Sequence, residues 1–348
     1  MMDTRTGAVF VQTNDAAANS VHAFARGDDG TLSPLGAYGT DGRGNGTPHL
    51  PSQGSLVLAA GGRRLLAANA GSDDVSVFDV DADGLSLLDT TPSGGVAPTS
   101  IAVHGDLVYV LNTGGTSPGS VNGFRLGTDG RLTAIEGSAL PLSSDEADGA
   151  QIAFDPSGTT VVVTERVTDR ISTYVVREDG TLDGPIAHAS AGATPYGFDF
   201  AGNGVLVVTE AFGGRVGAAA ASSYVLNGAP GLKPVSASVQ NTRSEVCWAA
   251  VSKDGRHAYV TNFGDCTISS YSITPEGGIE LLDPVAGSTR LGEKGLRDEA
   301  LSVDGQFLYA LDADAQQIFG WRIASDGGLE PVGAVDGLPA TAAGLAAL

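Results

Sequence analysis

The stretch Glu245–Leu282, EVCWAAVSKDGRHAYVTNFGDCTISSYSITPEGGIELL, packs four strand-like runs into about forty residues. An apolar run, Val246–Val251, is turned by Lys253-Asp254-Gly255 into a second run, His257–Thr261. A polar loop, Asn262–Cys266, leads into Thr267–Ile273, where polar and apolar residues alternate strictly. Glu276-Gly277-Gly278 then turns the chain into a short fourth run, Ile279–Leu282. Period-two alternation broken by Asp-Gly and Gly-Gly turns predicts antiparallel strands. Four such strands at this spacing make one blade of a β-propeller.

The unit recurs along the chain. A turn before the fourth strand appears at Asp29-Gly30, Asp83-Gly84, Asp129-Gly130, Asp179-Gly180, Pro230-Gly231, Gly277-Gly278 and Asp326-Gly327, at spacings of about fifty residues. Second-strand runs end at Asn14, Asn69, Asn112, Glu165, Glu210, Asn262 and Asp312. Two independent landmarks therefore agree on seven blades. First-strand runs number only six before the C-terminus, at Ser55–Ala59, Thr99–Val103, Gln151–Phe154, Tyr196–Phe200, Val246–Val251 and Glu299–Val303. The chain opens directly on a second strand, and the missing first strand is expected at Pro339–Leu345. That strand would pair with the N-terminal one and close the ring, leaving only short protected edges. The expectation is an all-β, seven-bladed propeller occupying 1–348 as one domain.

Composition agrees. Gly reaches 50 of 348 residues, about double ordinary usage, as frequent turns require. The 42% hydrophobic content suffices for a large core. With 40 acidic against 19 basic residues the net charge is −21, which argues against electrostatic binding to nucleic acid or an anionic membrane. No apolar run reaches the length of a transmembrane helix. The opening stretch, MMDTRTGAVFVQTN, reads as lacking a secretory signal. Cys247 and Cys266 are too few for a disulfide framework, and a cytoplasmic chain with two reduced thiols is expected.

In a propeller the first strands line a central channel, and long loops on one face surround its mouth. Two loops exceed what the repeat needs, Asp41–Gln53 and Ala211–Ser223. The repeat places Gln53, Gln151, Tyr196, Trp248, Arg297 and Asp298 around that mouth, with Asn69, Asn112, Asn262 and Asp312 at the second-strand ends. Phe212, in the second long loop, joins them as a candidate substrate contact. Glu165 and Glu210 stand where other blades carry amides or Asp. Two neighbouring carboxylates raise each other's pKa, which suits proton transfer; the competing role is acceptance of loop amides. Arg166 and Arg297 are the candidates to hold a carboxylate or oxyanion, although Arg166 could instead pair with Asp169. His49, between Pro48 and Leu50-Pro51, is the candidate catalytic imidazole; the other four histidines read as structural. No GxSxG, P-loop, HExxH or CxxC motif is present, so hydrolase-triad, nucleotide and zinc chemistry lack support. No cofactor and no metal are expected.

Repeat segments such as Gln151–Gly158 (QIAFDPSG) and Ala258–Asn262 (AYVTN), with the stretches SQGSLVLAAGGRRLLAANAGSDDVSVF, VVVTERVTDRISTYVV, YGFDFAGNGVLVVTEAFGG and CWAAVSKDGRHAYVTN, carry a resemblance. Over essentially its full length the chain resembles the bacterial lactonase family of seven-bladed propellers, which includes 6-phosphogluconolactonase and carboxymuconate lactonizing enzyme. The resemblance implies a metal-independent enzyme acting on a small lactone or related cyclic ester at the channel mouth. The chain departs from the phosphogluconolactonase pattern of Pro-Arg-His followed by Asn-Glu. It reads Thr194-Pro195-Tyr196-Gly197 before Glu210 and Asp148-Gly149-Ala150-Gln151 before Glu165. The acid is kept and the Arg and His are lost, which points away from a phosphorylated sugar lactone. Two other readings compete: a non-catalytic propeller binding a small molecule or protein, and a calcium-dependent lactonase using the oxygen ligands of the mouth ring.

Overall fold

The computed structural model describes residues 7–348 apart from 48, 49, 51, 52, 82, 83, 116, 227, 229 and 230. Its strands form seven antiparallel sheets ordered from the channel outward. Blade two, for example, runs Leu56–Ala59, Arg64–Asn69, Asp74–Asp81 and Gly84–Pro92. In blade three the outermost strand is split into Leu132–Ala134 and Leu140–Pro141, both paired with Ser120–Leu126. Blade one takes its innermost strand from the C-terminus: Ala342–Ala347 pairs antiparallel with Ala8–Thr13, matching Val11 to Leu345 and Val9 to Ala347. The ring is thus closed as the missing first strand required. The closing strand starts three residues later than the expected Pro339.

The alternating residues of each strand pack against the blade on either side. Seven separate apolar clusters result, one at each junction between neighbouring blades. Between blades five and six, for instance, Val205, Val207 and Ala221 meet Val246, Ala249, Val260 and Tyr271. Among the described residues the apolar side chains gather at these junctions rather than in one central core.

The Asp-Gly turns stitch the ring as well as reversing the chain. Tyr309, on the second strand of blade seven (Phe307–Asp312), donates from its hydroxyl to the Gly30 carbonyl of blade one at 2.8 Å. Tyr259 of blade six does the same to Gly327 of blade seven at 3.1 Å. Gly30 has φ +89°, and a Cβ there would fall 2.3 Å from the Phe307 ring, so only glycine fits. Among the described residues no helix is long and apolar enough to cross a membrane.

Candidate functional site

The second-strand ends, expected at the mouth, turn into their own blades. Glu165 is fully buried and accepts from the Ser143 N–H (3.0 Å), Thr168 Oγ1 (3.0 Å), Ser172 Oγ (2.8 Å) and closely from Ser143 Oγ. Glu210, also fully buried, accepts from Gly192 N–H (2.8 Å), Ser238 Oγ (2.7 Å) and Ser222 Oγ. The carboxylates were expected to raise one another. Instead each sits in its own blade, and Glu210 is pushed up by burial, with its three donors opposing that shift. Asn69, Asn112 and Asn262 occupy the same station and bond Ser76, Asn122 and Ser269 of their own third strands. Asp312 is gripped by Arg290, Nε to Oδ2 at 3.0 Å and Nη2 to Oδ1 at 2.8 Å. Burial works against its charge, and the Arg290 and Thr289 hydrogen bonds override this to hold it below the usual carboxylate range.

Gln53, Gln151 and Asp298 do reach the channel: Gln151 and Asp298 bond the innermost strand of the next blade, while Gln53, just before blade two, reaches across to Ala249 of blade six. Gln151 of blade four brackets Phe198 of blade five, donating to its carbonyl at 2.9 Å and accepting its N–H at 2.7 Å. Asp298 of blade seven accepts the Leu345 N–H of blade one at 2.9 Å. Burial pushes the Asp298 carboxyl up to about 8.

Four of the expected residues do come together above this level. The Tyr196 and Trp248 rings lie 4.8 Å apart, tilted by 46°, in an apolar cluster with Ala150, Ala211 and Cys247. Arg166 lies over the Tyr196 ring at 5.0 Å and donates to its hydroxyl at 3.1 Å. The remaining Arg166 hydrogen bond goes to Asp148 rather than Asp169. Arg297 follows on blade seven, with Nη2 on Asp314 at 3.0 Å and its guanidinium 5.8 Å from the Phe263 ring. It is 5% exposed, and neither its Nε nor its Nη1 has a hydrogen-bond partner among the described residues. Burial pulls the Arg297 pKa down and pushes the Cys247 thiol up to about 12, which disfavours its thiolate.

Leu50, in the long loop between blades one and two, is buried against Ala70 and Ala343. His49 lies outside the described residues. The second long loop is shorter than expected, because Ala220 already pairs with Glu210 and begins the third strand. Within it Phe212 is half-buried, φ +48°, under the Arg215 guanidinium at 5.5 Å and apart from the Tyr196–Trp248 cluster. Among the described residues no three His, Cys, Asp or Glu side chains are placed to hold a metal ion.

Sequence reading missed the feature that marks Arg297, two unpartnered donors where Arg166 and Arg243 each leave one, because it depends on what fails to pack beside the guanidinium.

Comparison with known proteins places the fold. A 6-phosphogluconolactonase of Yersinia enterocolitica is 24% identical over 170 residues, covering 46% of this chain. The match spans about half of that relative's length. A candidate 6-phosphogluconolactonase of Bacteroides fragilis superposes over 100% of both chains with TM-score 0.77 at 17% identity. The periplasmic gluconolactonase of Pseudomonas aeruginosa superposes over 98% of this chain and 99% of its own, with TM-score 0.76 at 17% identity. The family described as lactonase, 7-bladed beta-propeller, matches residues 16–135 and 117–216. More than half the sequence is covered, and the chain belongs to the lactonase family of seven-bladed β-propellers.

Proposed function

We propose that the chain acts on a small lactone bearing an anionic group, opening or closing the ring at the mouth formed by blades four to seven. Arg297 carries the reading: a buried guanidinium with two N–H donors left over, beside Phe263 where that ring packs on the Tyr196–Trp248 cluster, is arranged to receive a carboxylate or a developing oxyanion. Arg166 is held in place by Asp148 and Tyr196, over the Tyr196 ring of the same cluster. The saturated networks around Glu165 and Glu210 support anchoring roles for them, which leaves His49 as the proposed proton-handling group. The two buried free thiols, Cys247 and Cys266, support a cytoplasmic setting.

A turnover screen on aliphatic and sugar lactones, with and without a free carboxylate, tests this. Carboxylate-bearing lactones should be preferred, and Arg297→Met should lower kcat/KM by about a hundredfold or more without lowering the melting temperature. Arg297→Lys should not rescue, since a lysine cannot present a planar fork. Equal turnover in Arg297→Met would sink the assignment. The saturated carboxylates favour one competitor, a propeller that binds a small carboxylate without turning it over; saturable binding with no turnover of any lactone would select it.

A further inference from the structure

A second site lies deeper in the channel, at one level of the innermost strands. Leu56, Ile101, Ile152, Phe198, Ala249 and Leu345 occupy equivalent positions in six blades, each opposite the third residue from the end of its second strand. Blade seven places Glu299 there, opposite Ala310. All seven are buried, at 4% exposure or less. Glu299 is 2% exposed, and neither carboxyl oxygen has a hydrogen-bond partner among the described residues. A buried carboxyl left this way is costly, and a filled apolar layer would have been the cheaper sequence.

Glu299 borders a cavity of about 540 Å³. Gln53, Gln151 and Asp298 line its inner end, and Asp155, Pro156 and the half-exposed Val303 line its outer end, on the face opposite the arginines. Between them the wall is mostly aliphatic, including Leu56, Ile101, Ile152, Leu301 and Leu345, with His104 and Phe154 beside each other on one side. The cavity thus has polar ends, an aliphatic middle and, among its described acids, one carboxyl without a hydrogen-bond partner, Glu299.

We propose that this half of the channel binds a small protonated aliphatic amine, its ammonium on the Glu299 carboxylate and its hydrocarbon against the aliphatic wall. An ammonium supplies three donors to a group that now has none, and an alkyl stem suits the surrounding surface. A bare metal ion fits less well, because the carboxyls of Asp199, Asp298 and Glu299 are not disposed as ligands of one ion. The groups acting on Glu299 are Asp298 on its own strand and Asp199 on the first strand of blade five. Tyr259, on the second strand of blade six, also feels it. Burial first, then these two acids, raises the Glu299 carboxyl well above its ordinary range. An arriving ammonium must displace that proton, so affinity should rise with pH and binding should release protons.

Calorimetric titration of the full chain with n-butylamine hydrochloride at pH 6.5 and 8.5, in buffers of different ionisation enthalpy, tests the site. The expected result is saturable binding with one site, tighter at pH 8.5, and proton release. Glu299→Gln should weaken it by at least about thirtyfold while preserving a cooperative melt. Glu299→Leu, which completes the apolar layer, should abolish binding and raise the melting temperature, so loss of binding there cannot be loss of fold. No saturation up to about 50 mM amine, unchanged affinity in Glu299→Gln, or binding of calcium but not of amine would each overturn the proposal. Lactone turnover is read at the other mouth, so neither outcome bears on the activity proposed there.

Discussion

Gln53 and Ala249 are 196 positions apart, yet the side-chain amide of one pairs with both backbone groups of the other. Gln53 Nε2 donates to the Ala249 carbonyl at 2.8 Å, and Oε1 accepts the Ala249 N–H at 3.2 Å. The innermost strand of a blade has no further strand beyond it, so its channel edge carries peptide groups that need partners. A carboxamide offers one donor and one acceptor in peptide-like geometry and serves as a one-residue strand. Gln151 treats Phe198 identically, while Ser100, Asp199 and Asp298 accept the N–H groups of Ile152, Val251 and Leu345. Blades are thereby joined at the axis by side chains and at their faces by apolar clusters.

Removing that amide should cost more than an ordinary surface change. Gln53→Ala leaves a buried N–H and a buried carbonyl without partners, at about 1–3 kcal/mol each. A urea unfolding midpoint should fall by the equivalent of roughly 2–6 kcal/mol with the m-value unchanged. A midpoint within error of the parent would show that the Ala249 groups find other partners.

Glu165 and Glu210 should respond to shape more than to charge. In Glu165 one oxygen takes the Ser143 N–H and Ser172 hydroxyl, and the other takes only hydroxyls, from Ser143 and Thr168. Hydroxyls can turn to accept, so Glu165→Gln keeps every bond and should cost about 1 kcal/mol or less. Glu165→Ala strands the donors and leaves a void, and should cost about 3 kcal/mol or more. The same contrast is expected at Glu210. Thermal melts of the four variants decide it; equal losses for Gln and Ala at either site would mean that charge matters there.

The blades were legible in sequence because their signals are local. An Asp-Gly turn is satisfied by its own neighbours, as when Asp179 Oδ1 accepts the Thr181 N–H at 2.8 Å, and alternation needs no knowledge of the partner strand. The site was less legible because it depends on which way a residue faces. Glu165 reads as a mouth residue until Ser172 is seen beneath it. A signal existed: Asn69–Ser76, Glu165–Ser172 and Asn262–Ser269 all sit at the same separation, a repeated acceptor–hydroxyl pair. Glu299 was also readable, as the one acid in a column of apolar residues, once the strand registers fixed that column. What no local pattern carries is the pair of spare Arg297 donors.

Ring closure depends on the last strand. Ala342–Ala347 pairs with Ala8–Thr13 on one side and supplies Leu345 to Asp298 on the other. Deleting Thr341–Leu348 removes both connections and uncovers Val9, Val11 and the junction of blades one and seven. The truncated chain should lose its cooperative melt near the parent temperature and self-associate through the opened edge, as circular dichroism and size-exclusion chromatography would report. A synthetic peptide of residues 339–348 added in trans should restore the melt. A truncated chain that melts within about 2 °C of the parent would refute the dependence.

Glu299 makes the stability of the chain fall with pH. Its folded-state carboxyl is raised well above the ordinary value, and Asp298 is raised to about 8, both through burial first. Below the ordinary glutamate pKa, both folded and unfolded chains hold the Glu299 proton, so the group does not affect the balance. As pH rises, the unfolded chain releases it first and binds fewer protons than the folded one, so stability drops by up to about 1.4 kcal/mol per pH unit until the raised pKa is passed. Glu299→Gln keeps the shape and removes the titration. The variant should melt close to the parent at pH 4 and several degrees above it at pH 8, the gap widening between. A gap that is constant across this range, or one that widens toward acid, would show that Glu299 is not the buried, proton-holding group its surroundings make it.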